Sequence, residues 1–483
     1  MSTVELVDRA RRRQEALLLT ICCSALFMTT LDGTILNVAL PSIQRHLGAS
    51  TSGLQWTVVG YTLTRASSLF VCGSLADRFG RRRAFTAGLV IFTLGSLACG
   101  LAPDLGALIV FRCLQGIGSA VLTPSSLAII TNTFTDAKRR SWAVGMWNTA
   151  TGVSTTAGPV IGGLLVQAFG WRSVFLVNLP IGAAAVAWRK ILPESRAEEP
   201  RPFDIPGQSA LAVALSTLTY ALISGPDDGW SSPLVVILLV VSLASCLAFV
   251  RAESRSPHPL IDLHYLARPA LSGAALLAIC AFVVIAGFQF LNTLYLQEVR
   301  GYSPLQAGLL FVPISAAVLV FSPIAGRMNG RRGPRLPATL AMAAMLAAMV
   351  LLTVGISLTT SLVLLVGVFL LVGTGSGLVN TSITAAAISS MPKDRAAVAG
   401  AVGTMGRQVG SNLGVALIGS IAFSIAGTGH SAHALASVAA DLSFVHGLRV
   451  GNLITAVIAA LGIAVALWAF RSNPLPPEGE EAH

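Results

Sequence analysis

The sequence predicts an all-α polytopic membrane protein of fourteen transmembrane helices. Three observations predict it. The 483-residue chain is 54% hydrophobic and only 11% charged, against about 25% charged in ordinary soluble domains. A soluble protein of this size could not cover its core with so little polar surface. Apolar runs long enough to cross a bilayer, about 20 residues each, recur along the whole chain. Short basic clusters separate those runs, so the net charge of +11 forms no single patch and does not read as a nucleic-acid surface.

The first run, 16–39, follows Arg9, Arg11, Arg12 and Arg13. No small-residue cleavage site follows it and many spans do, so it reads as an uncleaved first helix and not a signal peptide. The next five runs are 55–75, 84–102, 106–130, 142–168 and 173–191. Two more follow at 207–224 and 233–250. The last six are 270–295, 304–325, 336–356, 360–385, 396–426 and 449–471. Several contain Gly and Pro, which membrane helices tolerate better than soluble ones.

An even count puts both termini on one side. With the N-terminus in the cytoplasm, 25 of the 32 Lys and Arg fall in cytoplasmic segments. Four, Arg45, Arg172, Arg300 and Arg449, fall outside, and three, Arg65, Arg112 and Arg407, fall within spans. This is the bias expected of a correctly threaded chain, because one missed span inverts every later loop. The predicted location is therefore the plasma membrane, multi-pass, with both termini cytoplasmic.

The seven cysteines all lie in apolar runs and form no spaced pairs with the histidines. They read as small buried apolar residues, with no disulfide framework, metal site or cofactor. No GxxxxGK[ST] loop is present, which leaves an ion gradient as the energy source.

One acid lies well inside a span: Asp32, in TLDGTILNVALP. A charge at this depth is costly, roughly 2.5–3.5 kcal/mol on insertion scales, and demands a partner, a proton or a task. At 1.5 Å per residue Asp32 lies about 12 Å below the outer surface, and Arg112 and Arg65 lie at a similar depth. An acid and two arginines thus share a layer and form a pair or triad. In LIVFRCLQGIGSA, Arg112 is followed by small residues that permit close helix approach.

The segment GSLADRFGRRR, 73–83, has a degraded echo in GRMNGRRGPR, 326–335. An offset of 253 superposes Gly73 on Gly326, Arg78 on Arg331 and Gly80 on Gly333, while Asp77 falls on Gly330. Two related halves follow. Beside Arg78 and Arg81, Asp77 can latch one helix bundle to the other in one conformation and release it in another. In GVSTTAGPVIGG, Gly152, Gly158, Gly162 and Gly163 form a small-residue face and Pro159 kinks the helix.

In combination these stretches resemble the major facilitator superfamily. GPVIGG is similar to the antiporter signature of its drug:proton antiporters. LDGTILNVALP, HPLIDL at 258–263 and GRQVGSNLGVA at 406–416 resemble its fourteen-helix, EmrB/QacA-like branch, including actinobacterial antibiotic exporters. The resemblance implies two six-helix bundles around a central cavity, with two extra helices between them. The expected divisions are 1–191, 192–268 and 269–471, followed by a cytoplasmic tail, 472–483. It also implies that Asp32 and Arg112 belong to the proton-coupling region, and that the chain is a proton-driven exporter and not an enzyme.

Arg65 stands where the family usually has an apolar residue, and Arg407 fits the GRQVG pattern. Three fixed cations and one acid in the spans favour an anionic or zwitterionic small molecule, such as a carboxylate-bearing antibiotic. Trp147, Asn148, Gln289 and Asn292, with Arg65 and Arg407, are the expected cavity residues. An importer of organic anions on the same fold is the alternative. The expected partners are substrate, protons and lipid, with the chain a monomer and no nucleic acid bound.

Overall fold

The computed structural model describes residues 3–196, 204–256, 263–390, 396–426 and 438–470. The HPLIDL stretch through residue 262 and the tail 472–483 lie outside them. Every regular element among the described residues is helical.

Seven helices form the N-terminal group: α1 (Thr3–Leu47), α2 (Thr51–Phe79), α3 (Arg81–Gly100), α4 (Leu105–Thr133), α5 (Ala137–Phe169), α6 (Ser173–Leu176) and α7 (Asn178–Ala187). Next come α8 (Ile205–Asp228), α9 (Pro233–Arg255) and the short α10 (Leu263–Leu266). The C-terminal group comprises α11 (Pro269–Leu294), α12 (Pro304–Leu310), α13 (Val312–Arg332), α14 (Arg335–Gly355), α15 (Leu362–Ser389), α16 (Ala396–Leu413), α17 (Gly419–Ala426) and α18 (Val438–Ala469). One π-helical turn, Tyr295–Val299, ends α11, and another, Gly414–Ile418, links α16 to α17.

Polar side chains start many of these helices. Ser50, Asp104, Asp136, Asp204, Ser232 and Ser303 each accept a backbone N–H of the first turn, satisfying donors that the helix leaves open. Proline breaks others. Pro180 lacks an N–H and its ring opposes the carbonyl four residues back, and α6 ends at that residue, Leu176. Pro159 acts likewise on Thr155, and α5 bends by 44° between Thr155 and Ala157.

Among the described residues, eleven helices are long and apolar enough to cross a membrane, or twelve when bent α5 counts as one span. Two of the fourteen expected spans fall short of that standard. Helix α2 has 29 residues, but Gln55, Thr57, Thr62, Thr64 and Arg65 dilute its apolar character. The run 173–191 is cut into α6 and α7 by Pro180 and is only Ser173–Ala187 in extent.

Within the N-terminal group α4 lies between α2 and α3, and α1 lies against α5. Glycines set the spacing. A Cβ on Gly116 would come 2.6 Å from the Tyr61 carbonyl of α2, and one on Gly118 2.6 Å from the Phe92 nitrogen of α3. In the C-terminal group α11 packs on α16 through Gly406, Gly410 and Gly414, where the Ala275, Ile279 and Val283 carbonyls approach. Helix α8 leans on both groups, touching α2 and α17, with Tyr220 5.6 Å from Trp56. Helix α9 packs on α8 and leaves Leu234, Ile237, Val240, Leu243 and Leu247 exposed. That face suits lipid.

The internal repeat has a conformational counterpart. Gly80 ends α2 with φ 108° and Gly333 ends α13 with φ 72°. Both are the left-handed stops that favour glycine, 253 residues apart.

Candidate functional site

The charge that the sequence left unexplained is paired. Asp32 on α1 and Arg112 on α4 form an ion pair, each 1% exposed. Arg112 donates from Nη1 to Asp32 Oδ2. Two further bonds hold it: Nη1 also donates to Gln115 Oε1 at 2.7 Å and Nε donates to the Thr57 carbonyl of α2 at 3.2 Å. The guanidinium lies 4.3 Å from the Tyr61 ring centroid, within cation–π range.

Neutral side chains complete the network. Gln115 Nε2 donates to Asp32 Oδ1 at 2.7 Å and to Ser96 Oγ at 3.1 Å. Asn178 Nδ2 donates to Asp32 Oδ1 at 3.2 Å and to Ser96 Oγ at 2.9 Å. Ser96 on α3 donates in turn to the Phe175 carbonyl at 2.9 Å. Asn178 can reach the carboxylate because the Pro180 break ends α6 and restarts the chain as α7 at Asn178. A buried charge held by several donors and one opposite charge is the arrangement such burial requires. Gln115, Asn178, Ser96 and Thr57 were not singled out from sequence. Only Gln115, three residues after Arg112 and so on its face, carried a signal.

Of the two alternatives, pair or triad, the bonds of this conformation form a pair. Arg65 donates to Thr123 Oγ1 of α4 at 3.4 Å, not to Asp32. On α2 it follows Tyr61 by four residues, one turn beyond the network, and it is half-buried.

The two groups meet at the face that carries the α1–α2 connection. Gln55 Nε2 donates to the Val415 carbonyl at 2.9 Å and the Ala416 carbonyl at 3.1 Å. Gln297 Nε2 donates to the Val38 carbonyl at 3.0 Å. Deeper in, Thr62 bonds Asn412. The GPVIGG stretch lies at the same contact. Gly158 and Gly162 abut Thr34 and Ile35 of α1, and a Cβ on Gly163 would come 2.5 Å from the Pro304 carbonyl of α12. Gly308 of α12 abuts the Pro159 carbonyl.

Toward the opposite face, which carries the α2–α3 connection, the groups part. Gly152 and Gly145 continue the face of α5 that touches α12, yet a Cβ on either would meet nothing within 4 Å. The same holds for Gly326 and Gly330 on α13. The space beside these parts of α5 and α13 is therefore open toward the α2–α3 face.

The expected cavity residues are dispersed over both groups. Asn148 is exposed on α5 and bonds only back to the Val144 carbonyl at 3.1 Å. Arg407 is half-buried on α16 and donates to Thr404 at 2.9 Å. Among the described residues neither Arg65 nor Arg407 pairs with a carboxylate. Gln289 is half-buried. Two placements differ from expectation. Trp147 turns inward and donates to Ser126 of α4 at 3.1 Å. Asn292 is fully buried and bonds the Phe288 carbonyl of its own helix at 2.9 Å, leaving its Oδ1 unpartnered.

The GSLADRFGRRR turn is engaged within its own group. Arg81 donates to Asp77 Oδ1 from Nε at 3.0 Å and from Nη2 at 2.9 Å. Glu194, after α7, accepts the Arg82 backbone N–H at 3.1 Å and pairs with Arg82 and Arg83 at 3.4 and 3.8 Å. In this conformation Asp77 latches no helix of the other group through these bonds. Gly73 lies on α2, with Pro124 the nearest contact of a Cβ there at 3.9 Å, and Arg78 lies in the last turn of α2.

Long apolar helices in two groups that pack together at one face, with a buried ion pair near that contact, define a polytopic membrane transporter. The chain belongs to the Major Facilitator Superfamily, whose profile matches residues 22–415. It is 40% identical over 85% of its length to the "Multidrug resistance protein Stp" of Mycobacterium tuberculosis, covering 76% of that protein. It is 36% identical over 81% of its length to the "Tetracenomycin C resistance and export protein" of Streptomyces glaucescens, covering 73% of that protein. Its fold matches the crystal structure of a POT family transporter in complex with 5-aminolevulinic acid. The TM-score is 0.68 at 14% identity, over 94% of this chain and 96% of the other.

Proposed function

We propose that the chain exports a small organic antibiotic across the plasma membrane in exchange for protons. The observation that carries this reading is the Asp32–Arg112 pair, buried near the contact between the two groups and bonded to α2, α3, α4 and α7 together. Protonating Asp32 removes the countercharge of Arg112. That changes the bonding of every helix in the network and so biases one arrangement of the two groups over the other. The names of the relatives, resistance and export proteins, support the direction.

In this reading α2 and the α6–α7 pair also cross the membrane, giving the fourteen spans of the EmrB/QacA-like branch. Both termini are cytoplasmic, and a cleft between the two groups opens to the cytoplasm. Residues 1–191 and 269–471 form the two bundles, with 192–268 between them. Arg65 and Arg407 give the cavity a positive field that favours an anionic or zwitterionic substrate. The chain works as a monomer. The Asp77 turn and GPVIGG gate opposite faces of the cleft.

The test uses oriented vesicles holding wild type or Asp32→Asn under an imposed pH gradient. Labelled candidates include a carboxylate-bearing antibiotic and a lipophilic cation. Uptake into inverted vesicles that loses its pH dependence in Asp32→Asn, with the protein folded and still binding, is the expected result. Unchanged proton-driven transport in that variant overturns the coupling role, and transport in the opposite sense makes the chain an importer. Preference for the cation overturns the assignment to Arg65 and Arg407.

A further inference from the structure

We propose that a groove between α1, α5 and α7, on the lipid side of the N-terminal group, binds one anionic phospholipid. An acyl chain lies in the groove, and the headgroup phosphate is held by Arg13, Lys138 and Arg189.

The groove follows from the bend in α5. Helix α5 last holds α1 through Ser154, which donates to the Phe27 carbonyl at 2.7 Å. Nearer the α2–α3 face the two helices are tied again, where Arg139 pairs with Glu15. Between these ties lies a cavity of about 500 Å³. Ala16, Thr20, Cys23 and Phe27 line it at helical spacing on α1. Trp142, Met146 and Ala150 line it on α5, and Ile181 on α7. From Ala16 to Phe27 the groove runs about 16 Å, roughly half the ~30 Å hydrocarbon core. Its length is thus that of a single leaflet, which suits a lipid chain.

Cations stand at the mouth on α1, on α5 and in the turn just after α7. Arg13 precedes Ala16 by three residues and Thr20 by seven, and so shares their face. Lys138 stands one turn before Trp142. Arg189 stands eight residues after Ile181. All three are exposed. The nearby described acids are already engaged: Glu15 by Arg139, and Asp136 by the Arg139 backbone N–H at 2.9 Å. Trp142 and Trp188, 59% and 51% exposed, flank the mouth, where indoles favour the headgroup level. An apolar slot one leaflet deep, under cations that pair with no acid among the described residues, is complementary to a phosphodiester lipid.

The purified full chain, stripped of lipid, is offered equal amounts of phosphatidylglycerol and phosphatidylcholine and examined by native mass spectrometry. One phosphatidylglycerol is expected to be retained in preference. Joint replacement Arg13→Gln, Lys138→Gln and Arg189→Gln lowers that preference at least about tenfold. The control set Arg327→Gln, Arg331→Gln and Arg332→Gln, on the same face, leaves it intact. Thr20→Trp, which fills the slot without touching a charge, also abolishes retention, and it serves alone if the triple variant does not fold. Retention that survives Thr20→Trp, or that falls equally in the control set, overturns the proposal.

Discussion

Replacing the two members of the buried pair one at a time and then together gives the sharpest check of the network. Arg112→Gln leaves the Asp32 carboxylate, 1% exposed, with two neutral donors, Gln115 and Asn178. Asp32→Asn leaves the guanidinium with Gln115 Oε1, the Thr57 carbonyl and the Tyr61 ring. Breaking a buried pair from one side costs about 3–5 kcal/mol. Arg112→Gln should fall at the upper end, and Asp32→Asn at the lower end, because the Tyr61 face still holds the cation. The double variant carries no buried charge and can bond Asn to Gln, so it should lose about 3 kcal/mol less than the sum of the singles. Reversible unfolding of purified protein in mixed micelles measures all four species. Additivity within about 0.5 kcal/mol would refute the reasoning, because uncoupled residues behave in that way.

Two further outcomes follow from the same geometry. Gln115→Leu removes bonds to Asp32, Arg112 and Ser96 while keeping the volume, and should destabilise by about 2–3 kcal/mol in the same unfolding assay; a loss under 0.5 kcal/mol would mean that water replaces the amide. Gly163→Val places a Cβ 2.5 Å from the Pro304 carbonyl, a backbone atom that no rotamer change can move. It should force the α1–α2 face apart and raise thiol labelling of a cysteine placed at Gln55 at least about tenfold, the factor for 1.4 kcal/mol of population shift; unchanged labelling counts against GPVIGG as a contact that closes that face.

Much of this arrangement could be read in the chain before its coordinates. Depth arithmetic at 1.5 Å per residue placed Asp32, Arg112 and Arg65 in one layer, but depth says nothing of rotation about a helix axis. Arg112 turns toward α1 while Arg65 turns toward Thr123, and only packing decides that. Asn178 and Ser96 escaped notice because a neutral side chain in an apolar run carries no obvious cost until its neighbours are known. The Glu194 contact joins a loop to a turn more than a hundred residues earlier, a pairing with no periodic signature. Hydropathy faded at α2 for a physical reason: a helix that meets α4, α8 and α16 needs less lipid-facing surface than one at the rim, such as α9.

The proposed cleft has an electrical consequence. Water filling it conducts ions, so the transmembrane voltage drops mainly across the layer that remains closed. On α2 that layer runs from Gln55 to Thr62, about 10 Å, against a hydrocarbon core of about 30 Å. The field within it is therefore roughly three times the uniform value. Asp32 lies inside that layer, level with Thr57 through their shared contact with Arg112. A charge carried through the whole layer gains about 2.3 kcal/mol per 100 mV, and in the proposed exchange a proton passing by way of Asp32 would cross that drop. The proposed exchange would then be driven by membrane voltage as well as by any difference in proton concentration.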